Sequence, residues 1–354
     1  MASRFPAIVE RGYSTGLYPV IAAAGARLSG RLPFSLAEGL VAAFALIVSW
    51  RAVRFVAKAA RRRGYLREAW LPAAANVTIA AGILYLTFLL VWGLNYAREP
   101  FAVAAGLDAS PPSVAELRAA CADLVQRANA LREGLPEDAR GVMRLTDGLA
   151  GARGRAEAGY RHAGAVHAVL AGRSSPAKPI VASRVFSYLG ITGIFFPWTG
   201  EPNVNADVPD PDLPFAIAHE MAHAHGFARE DEAGYVGYLA CRFHPDPDFR
   251  YSGVLAASIY ALNALAGVDR AAHRELADRR SPAVRRDLRA LQEWSDRYSG
   301  RLSRASRSVN NAYLRSQGQA EGVRSYGRMV DLLVAERRGR SAAPAPRDNL
   351  GDGT

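Results

Sequence analysis

The sequence predicts a mainly α chain: an N-terminal transmembrane helical hairpin, then a helical domain outside the membrane that carries a short β element. Three observations predict it. Leu71 to Leu94 runs without a charge, long enough to cross a hydrocarbon core about 30 Å thick. A strongly basic stretch precedes it. Beyond Phe101 the apolar spacing is mostly that of amphipathic helices, broken by one run rich in Val, Ile, Phe and Tyr.

The first span is expected from Leu36 to about Ala57. Glu38 lies near its start, and Arg51 and Arg54 near its end can snorkel to headgroups. The second is expected over 71–94, with Trp70, Trp92 and Tyr96 at its ends, where amphipathic rings favour the interface. The alternative is a buried helix of a soluble core. Between the spans Arg51, Arg54, Lys58, Arg61, Arg62, Arg63 and Arg67 face only Glu68. Positive loops stay inside, so this loop is expected in the cytoplasm and residues past about Tyr96 on the outer face of the cytoplasmic membrane of a bacterium. Leu17 to Leu28 is apolar but short and holds Pro19 and Arg27, so no signal peptide is read there. The expected division is a membrane anchor at 1–96, an outer domain at 97–340 and a disordered Ala/Pro/Gly-rich tail at 341–354.

In the outer domain Ser113 and Glu116 form a capping box that opens a helix to about Leu131. A second helical stretch covers Ala152 to Leu170. Pro179 to Phe196, punctuated by Gly190 and Gly193, predicts one or two short strands, and Pro197 to Pro214 a loop. Asn203, Asn205 and Asp207 are read as shaping that loop rather than binding calcium. Ile191–Phe196 is the candidate edge strand, with plain core packing as the equal alternative. Further helices are expected from Glu230 to about Phe243 and from Ser252 to Arg337.

The net charge of +11 does not imply nucleic acid. Seven of the cations lie between the spans, where anionic lipid accounts for them, and most others are arginines beside Asp and Glu on helices. No phosphate loop or aromatic-basic repeat accompanies them. Cys121 and Cys241, the two cysteines, are open to two readings: a disulfide in an exported domain, or burial as small apolar groups.

Chemistry is concentrated in Ala218-His219-Glu220-Met221-Ala222-His223. Histidines four apart share one helix face, close enough to grip one metal ion, and Glu220 is held beside any water on that metal. Pro214 suits a first helical turn and Gly226 a helix end. Glu230 and Glu232 are both placed to supply a third ligand. The bland alternative is a buried polar pair on an Ala-rich helix, with Glu220 merely solvated. His225 lies off the face shared by the other two and is read as a surface or capping residue.

WGLNYAREP after a span, then SRVFSYLGITGIFFPWTGEPNVN, then LPFAIAHEMAHAHGFAREDEAGYVGYLAC together resemble the DUF3810 family of bacterial membrane proteins, over about Leu32 to Leu333. That resemblance implies a zincin-like, membrane-anchored, Zn²⁺-dependent metallopeptidase domain. Relatives often carry a further N-terminal span, for which this chain leaves little room, so it is read as beginning late. Several zinc peptidase groups place the third ligand in Glu-x-x-Ala-Asn/Asp. Here the pattern falls on Glu230-Asp231-Glu232-Ala233-Gly234, which nominates Glu230, with Glu232 as the alternative. Gly234 stands where Asn or Asp is usual, so the supporting hydrogen bond to a ligand histidine is expected to be missing or supplied elsewhere.

The implied mechanism has His219, His223 and Glu230 on Zn²⁺ and Glu220 as general base and acid. Tyr235, Tyr251, Tyr326 and His244 are candidate donors to the oxyanion; Tyr188 and Tyr251 read more readily as core. The expected partners are peptide or envelope-protein substrates and the lipid bilayer. The competing expectation is a zinc-bound, catalytically silent scaffold or sensor. An intramembrane protease is disfavoured because Asp210, Asp212 and Arg229 flank the motif.

Overall fold

The structure is a computed structural model and describes residues 5–172, 174–319 and 328–342. It is mainly helical, 72% helix and 4% strand. The chain begins with α1 (Pro6–Val9), a π-helical segment (Glu10–Leu17) and α2 (Tyr18–Ser29). The hairpin follows as α3 (Leu36–Arg61) and α4 (Tyr65–Val91). Both helices are long and apolar enough to cross a membrane, with mean hydropathies of 1.8 and 2.0, and their apolar windows bury nothing against the rest of the chain.

Ser35 starts α3 by accepting from the Glu38 N–H, and Glu201 accepts from the N–H groups of Leu36 and Ala37. A carboxylate at these free donors also complements the helix dipole. The helix outlasts the expected end near Ala57, because Lys58 and Arg61 are good helix formers at the negative C-terminal end. Conversely, α4 begins at Tyr65, earlier than hydropathy suggested, and ends at Val91. Gly93 lets the chain turn there: a Cβ would stand 2.7 Å from the Phe88 ring.

Beyond the hairpin lie α5 (Phe101–Ala104), α6 (Val114–Arg132), α7 (Gly148–Arg155) and α8 (Glu157–Val166). The capping box of Ser113 and Glu116 is formed as read. The single helix expected over 152–170 is instead two helices and a 3-10 turn. It breaks at Ala156, beside Arg155, whose guanidinium is held by Asp147, Asp246 and Asp248.

Three strands follow: β1 (Lys178–Ile180), β2 (Gly193–Phe196) and β3 (Glu201–Asn205), with α9 (Ser183–Leu189) between the first two. Their order is β1-β3-β2, β3 parallel to β1 and antiparallel to β2, so β2 is an edge strand, as its sequence suggested. The central strand lies where a loop was expected. Pro202, Asn203 and Asn205 disguise it, since these residue types are depleted in strands. They are tolerated because the buried amide NH2 groups find acceptors: Asn203 donates to the Ile194 and Glu201 carbonyls, and Asn205 to Ser187 and the Ile191 carbonyl. Asp207, beyond the strand, does shape a turn, accepting from Ser187 and Trp294.

The remaining helices are α10 (Leu213–Ala224), α11 (Glu230–Arg242), α12 (Pro247–Val268), α13 (Arg270–Asp278), α14 (Pro282–Tyr298), α15 (Arg301–Ser316) and α16 (Met329–Ala342). Helix α12 is also apolar enough to span, at a mean hydropathy of 1.4, but 61% of its window is buried, and it packs on α6, α10 and α11 in the main core. Cys121 and Cys241 are free and buried in that core, which is the second of the two readings. Tyr251 is core as expected, its hydroxyl donating to Asp287. Tyr188 is not: it is 50% exposed, with its ring against Tyr298. The tail from 343 onward lies outside the described residues, as does Tyr326.

The N-terminal run folds back onto the motif helix. Tyr13, Tyr18, Phe88, Trp92, Phe195, Ala224 and Ala228 form a second apolar cluster. Beneath it Arg98 pairs with Glu10 at 2.8 Å and donates to the Gly226 carbonyl, with its guanidinium over Phe227. Contacts to the motif helix therefore come from both sides of residue 96. Glu10→Gln leaves a buried guanidinium short of its charge partner and is expected to cost about 3 kcal/mol of stability. Unfolding of the detergent-solubilised full chain measures it, against a Glu99→Gln control.

Candidate metal centre

Helix α10 presents the motif. Pro214 occupies its first turn, and a Schellman closure ends it: Gly226 N–H donates to the His223 carbonyl and Phe227 N–H to that of Ala222. Gly226 sits at φ +85°, where a side chain is strained, and a Cβ there would stand 2.9 Å from the Tyr18 ring. The turn delivers the chain straight into α11, whose first residue is Glu230. Gly237 then lets α11 cross α10 closely, a Cβ there falling 3.0 Å from the His219 backbone nitrogen.

The result is a convergence of three side chains. His219 Nε2 lies 3.2 Å and His223 Nε2 3.5 Å from Glu230 Oε2. One potential ligand atom from each lies within 4.8 Å of the others, the spacing a single cation requires. His223 Nδ1 stands 2.8 Å from the Phe227 carbonyl; since a carbonyl only accepts, Nδ1 carries a proton, and neutral His223 therefore presents the Nε2 lone pair to a cation. This backbone oxygen supplies the outer-shell contact that Gly234 made doubtful. Gly234 itself faces α16, a Cβ there lying 3.2 Å from Met329 Sδ.

The donor set fits a divalent metal. Glu230 Oε2 is buried and faces both histidine Nε2 atoms, an arrangement a cation between them would satisfy. Burial alone would raise the Glu230 carboxyl, yet His223 and His219 hold it well below the usual range. Burial disfavours a charged His223, but the Glu230 carboxylate outweighs this and pushes it up to about 9. The same three groups compete for a proton or a cation. Two nitrogens and one carboxylate oxygen, with no thiolate near, is a donor set suited to zinc.

Glu220 is buried against the edge strand. Burial raises its carboxyl pKa, opposed by His219 and His223 and by a hydrogen bond from the Phe195 backbone. Gly193 is what admits it: a Cβ there would lie 2.5 Å from Glu220 Cγ. Gly193→Ala is therefore expected to displace Glu220 and abolish any hydrolysis while leaving bound metal unchanged, which paired activity and metal assays check.

Glu232 is engaged elsewhere, accepting from the Phe101 N–H and from Arg229. His225 is the C-cap residue, but it is no surface group: its ring stacks on Tyr160 at 4.4 Å, and burial pushes its pKa down to about 4. Of the candidate oxyanion donors, Tyr235 packs against Phe101, Tyr251 binds Asp287, and His244 faces the Arg155 carbonyl; none joins the group. Sequence reasoning missed the residues that hold the C-terminal end of α10. Trp92 Nε1 donates to the His223 carbonyl at 3.0 Å and the Tyr18 hydroxyl to that of Ala224 at 2.8 Å. Trp92 had only the signature of an interfacial ring, and Tyr18 had none.

The fold and site define a class: a mainly helical chain with an apolar hairpin and a His-Glu-x-x-His helix closed by a glutamate. Residues 13–334 match the family described as "Protein of unknown function (DUF3810)", and the chain belongs to that family. No curated protein and no solved structure matches it.

Proposed function

We propose that this chain is a membrane-anchored, zinc-dependent metallopeptidase of zincin-like type, working on the outer face of the bacterial cytoplasmic membrane. The convergence of His219, His223 and Glu230 beside a buried Glu220 carries the reading. A zinc ion held there supplies Lewis acidity and a water acidic enough to ionise near neutral pH. Glu220 accepts the proton of the attacking water and returns it to the leaving amine, a role its raised pKa suits. The outer edge of β2, which pairs with no strand among the described residues and lies beside Glu220, is placed to bind an extended peptide by backbone hydrogen bonds. The cations of the α3–α4 turn and the adjoining helix ends support the orientation, with the opposite ends of both helices on the site's side.

One observation favours the silent scaffold: the site is closely covered, with His219 only 13% and His223 8% exposed, as structural zinc sites are. The test is hydrolysis of an unbiased peptide library by the zinc-loaded full chain in nanodiscs, beside Glu220→Gln. Cleavage lost in the variant supports the peptidase. Equal cleavage by both, or none by either at full zinc occupancy, overturns it.

A further inference from the structure

An apolar face beside the outer ends of the hairpin is left uncovered. Val181 is 86%, Val185 58% and Trp198 43% exposed. Val181 and Trp198 are each bonded to a spanning helix, and Val185 stands one helical turn on from Val181 in α9. The Glu38 carboxylate, in the first turn of α3, accepts from the Val181 N–H at 2.7 Å and the Ala182 N–H at 2.9 Å. Trp198 Nε1 donates to Thr87 Oγ1 at 3.1 Å, and Thr87 is one turn short of the end of α4. A turn is about 5.4 Å, so these anchors attach the face to the outermost turn of both helices.

That depth decides between lipid and water. The exposed apolar surface of α3 and α4 runs directly into this face. Headgroup-level burial of about 5–10 Å is the zone where Trp and aliphatic side chains are stabilised and an adjacent arginine reaches phosphate. Arg184, exposed between Val181 and Val185, meets that requirement. The metal group lies close behind: Trp92, the cap residue of α4, is bonded to the His223 carbonyl.

We propose that Val181, Val185 and Trp198 rest in the outer headgroup layer of the bilayer that α3 and α4 cross, setting the metal group at the membrane surface. The proposal rests on the hairpin spanning a membrane and is independent of hydrolysis. Joined to the peptidase reading, it makes the substrate class a membrane-tethered polypeptide, cut in the stretch that emerges from the bilayer.

The test uses the full chain in nanodiscs of phosphatidylethanolamine and phosphatidylglycerol, with a nitroxide at Val185→Cys. Cys121 and Cys241 are fully buried and stay unlabelled. References are Glu133→Cys, exposed on the outer domain, and Leu84→Cys, exposed on α4. Collisions with a water-soluble nickel chelate are expected to be at least about fivefold rarer at 185 than at 133, and more frequent than at 84. Equal rates at 185 and 133 overturn the proposal. So does shielding at 185 that appears only as protein crowds the discs, which would make a second copy the occupant. Should Val185→Cys not fold, headgroup-proximal brominated lipid replaces it: quenching that falls in Trp198→Phe supports the proposal, and unchanged quenching overturns it.

Discussion

Glu230→Gln is expected to lower zinc affinity by more than about 100-fold, beyond what the loss of an outer-shell partner costs. Its Oε2 is the atom on which both histidine Nε2 atoms converge, and no other carboxylate among the described residues joins that group. Glu232→Gln is the matched control. Its carboxylate accepts from the Phe101 N–H and Arg229, so the variant should keep the metal and lose about 1–3 kcal/mol of stability. Metal titration with a competing chelator, alongside unfolding of the same samples, separates the two. Metal lost from Glu232→Gln and kept by Glu230→Gln would reverse the ligand assignment.

Glu220→Gln is expected to reduce peptide hydrolysis by about 10²–10⁴-fold, the usual contribution of a positioned general base, with zinc content unchanged. Glutamine nearly matches glutamate in shape, so its packing against Gly193 survives while its proton affinity does not. Single-turnover rates at matched zinc occupancy check this. Variant rates within a factor of about two would remove Glu220 from the mechanism.

What the sequence disclosed follows its physics. Periodicity and charge are strong where a segment is long and one-sided, so α3, α6 and α11 were legible to within a few residues, whereas α4 begins six residues before its apolar run. The motif was legible because spacing on one helix fixes which side chains share a face. The sheet was not. β3 is a buried strand built from Glu201, Pro202, Asn203, Val204 and Asn205, and hydrogen bonds between its polar side chains and residues outside the strand make that composition tolerable. The support for the site was equally hidden, because Tyr18 and Trp92 reach the end of α10 from far away in sequence. Glu230 and Glu232 could not be separated by spacing alone; the Schellman turn at Gly226 and the close crossing at Gly237 do that.

The central claim is a site of two histidines and one glutamate holding zinc. The most direct measurement is zinc X-ray absorption on the full chain, purified with its apolar hairpin and without added metal. The account predicts about one zinc per chain, with only nitrogen and oxygen neighbours at roughly 2.0–2.2 Å and a first shell that changes in Glu230→Gln. Absence of stoichiometric zinc, or a sulfur neighbour near about 2.3 Å, would contradict it.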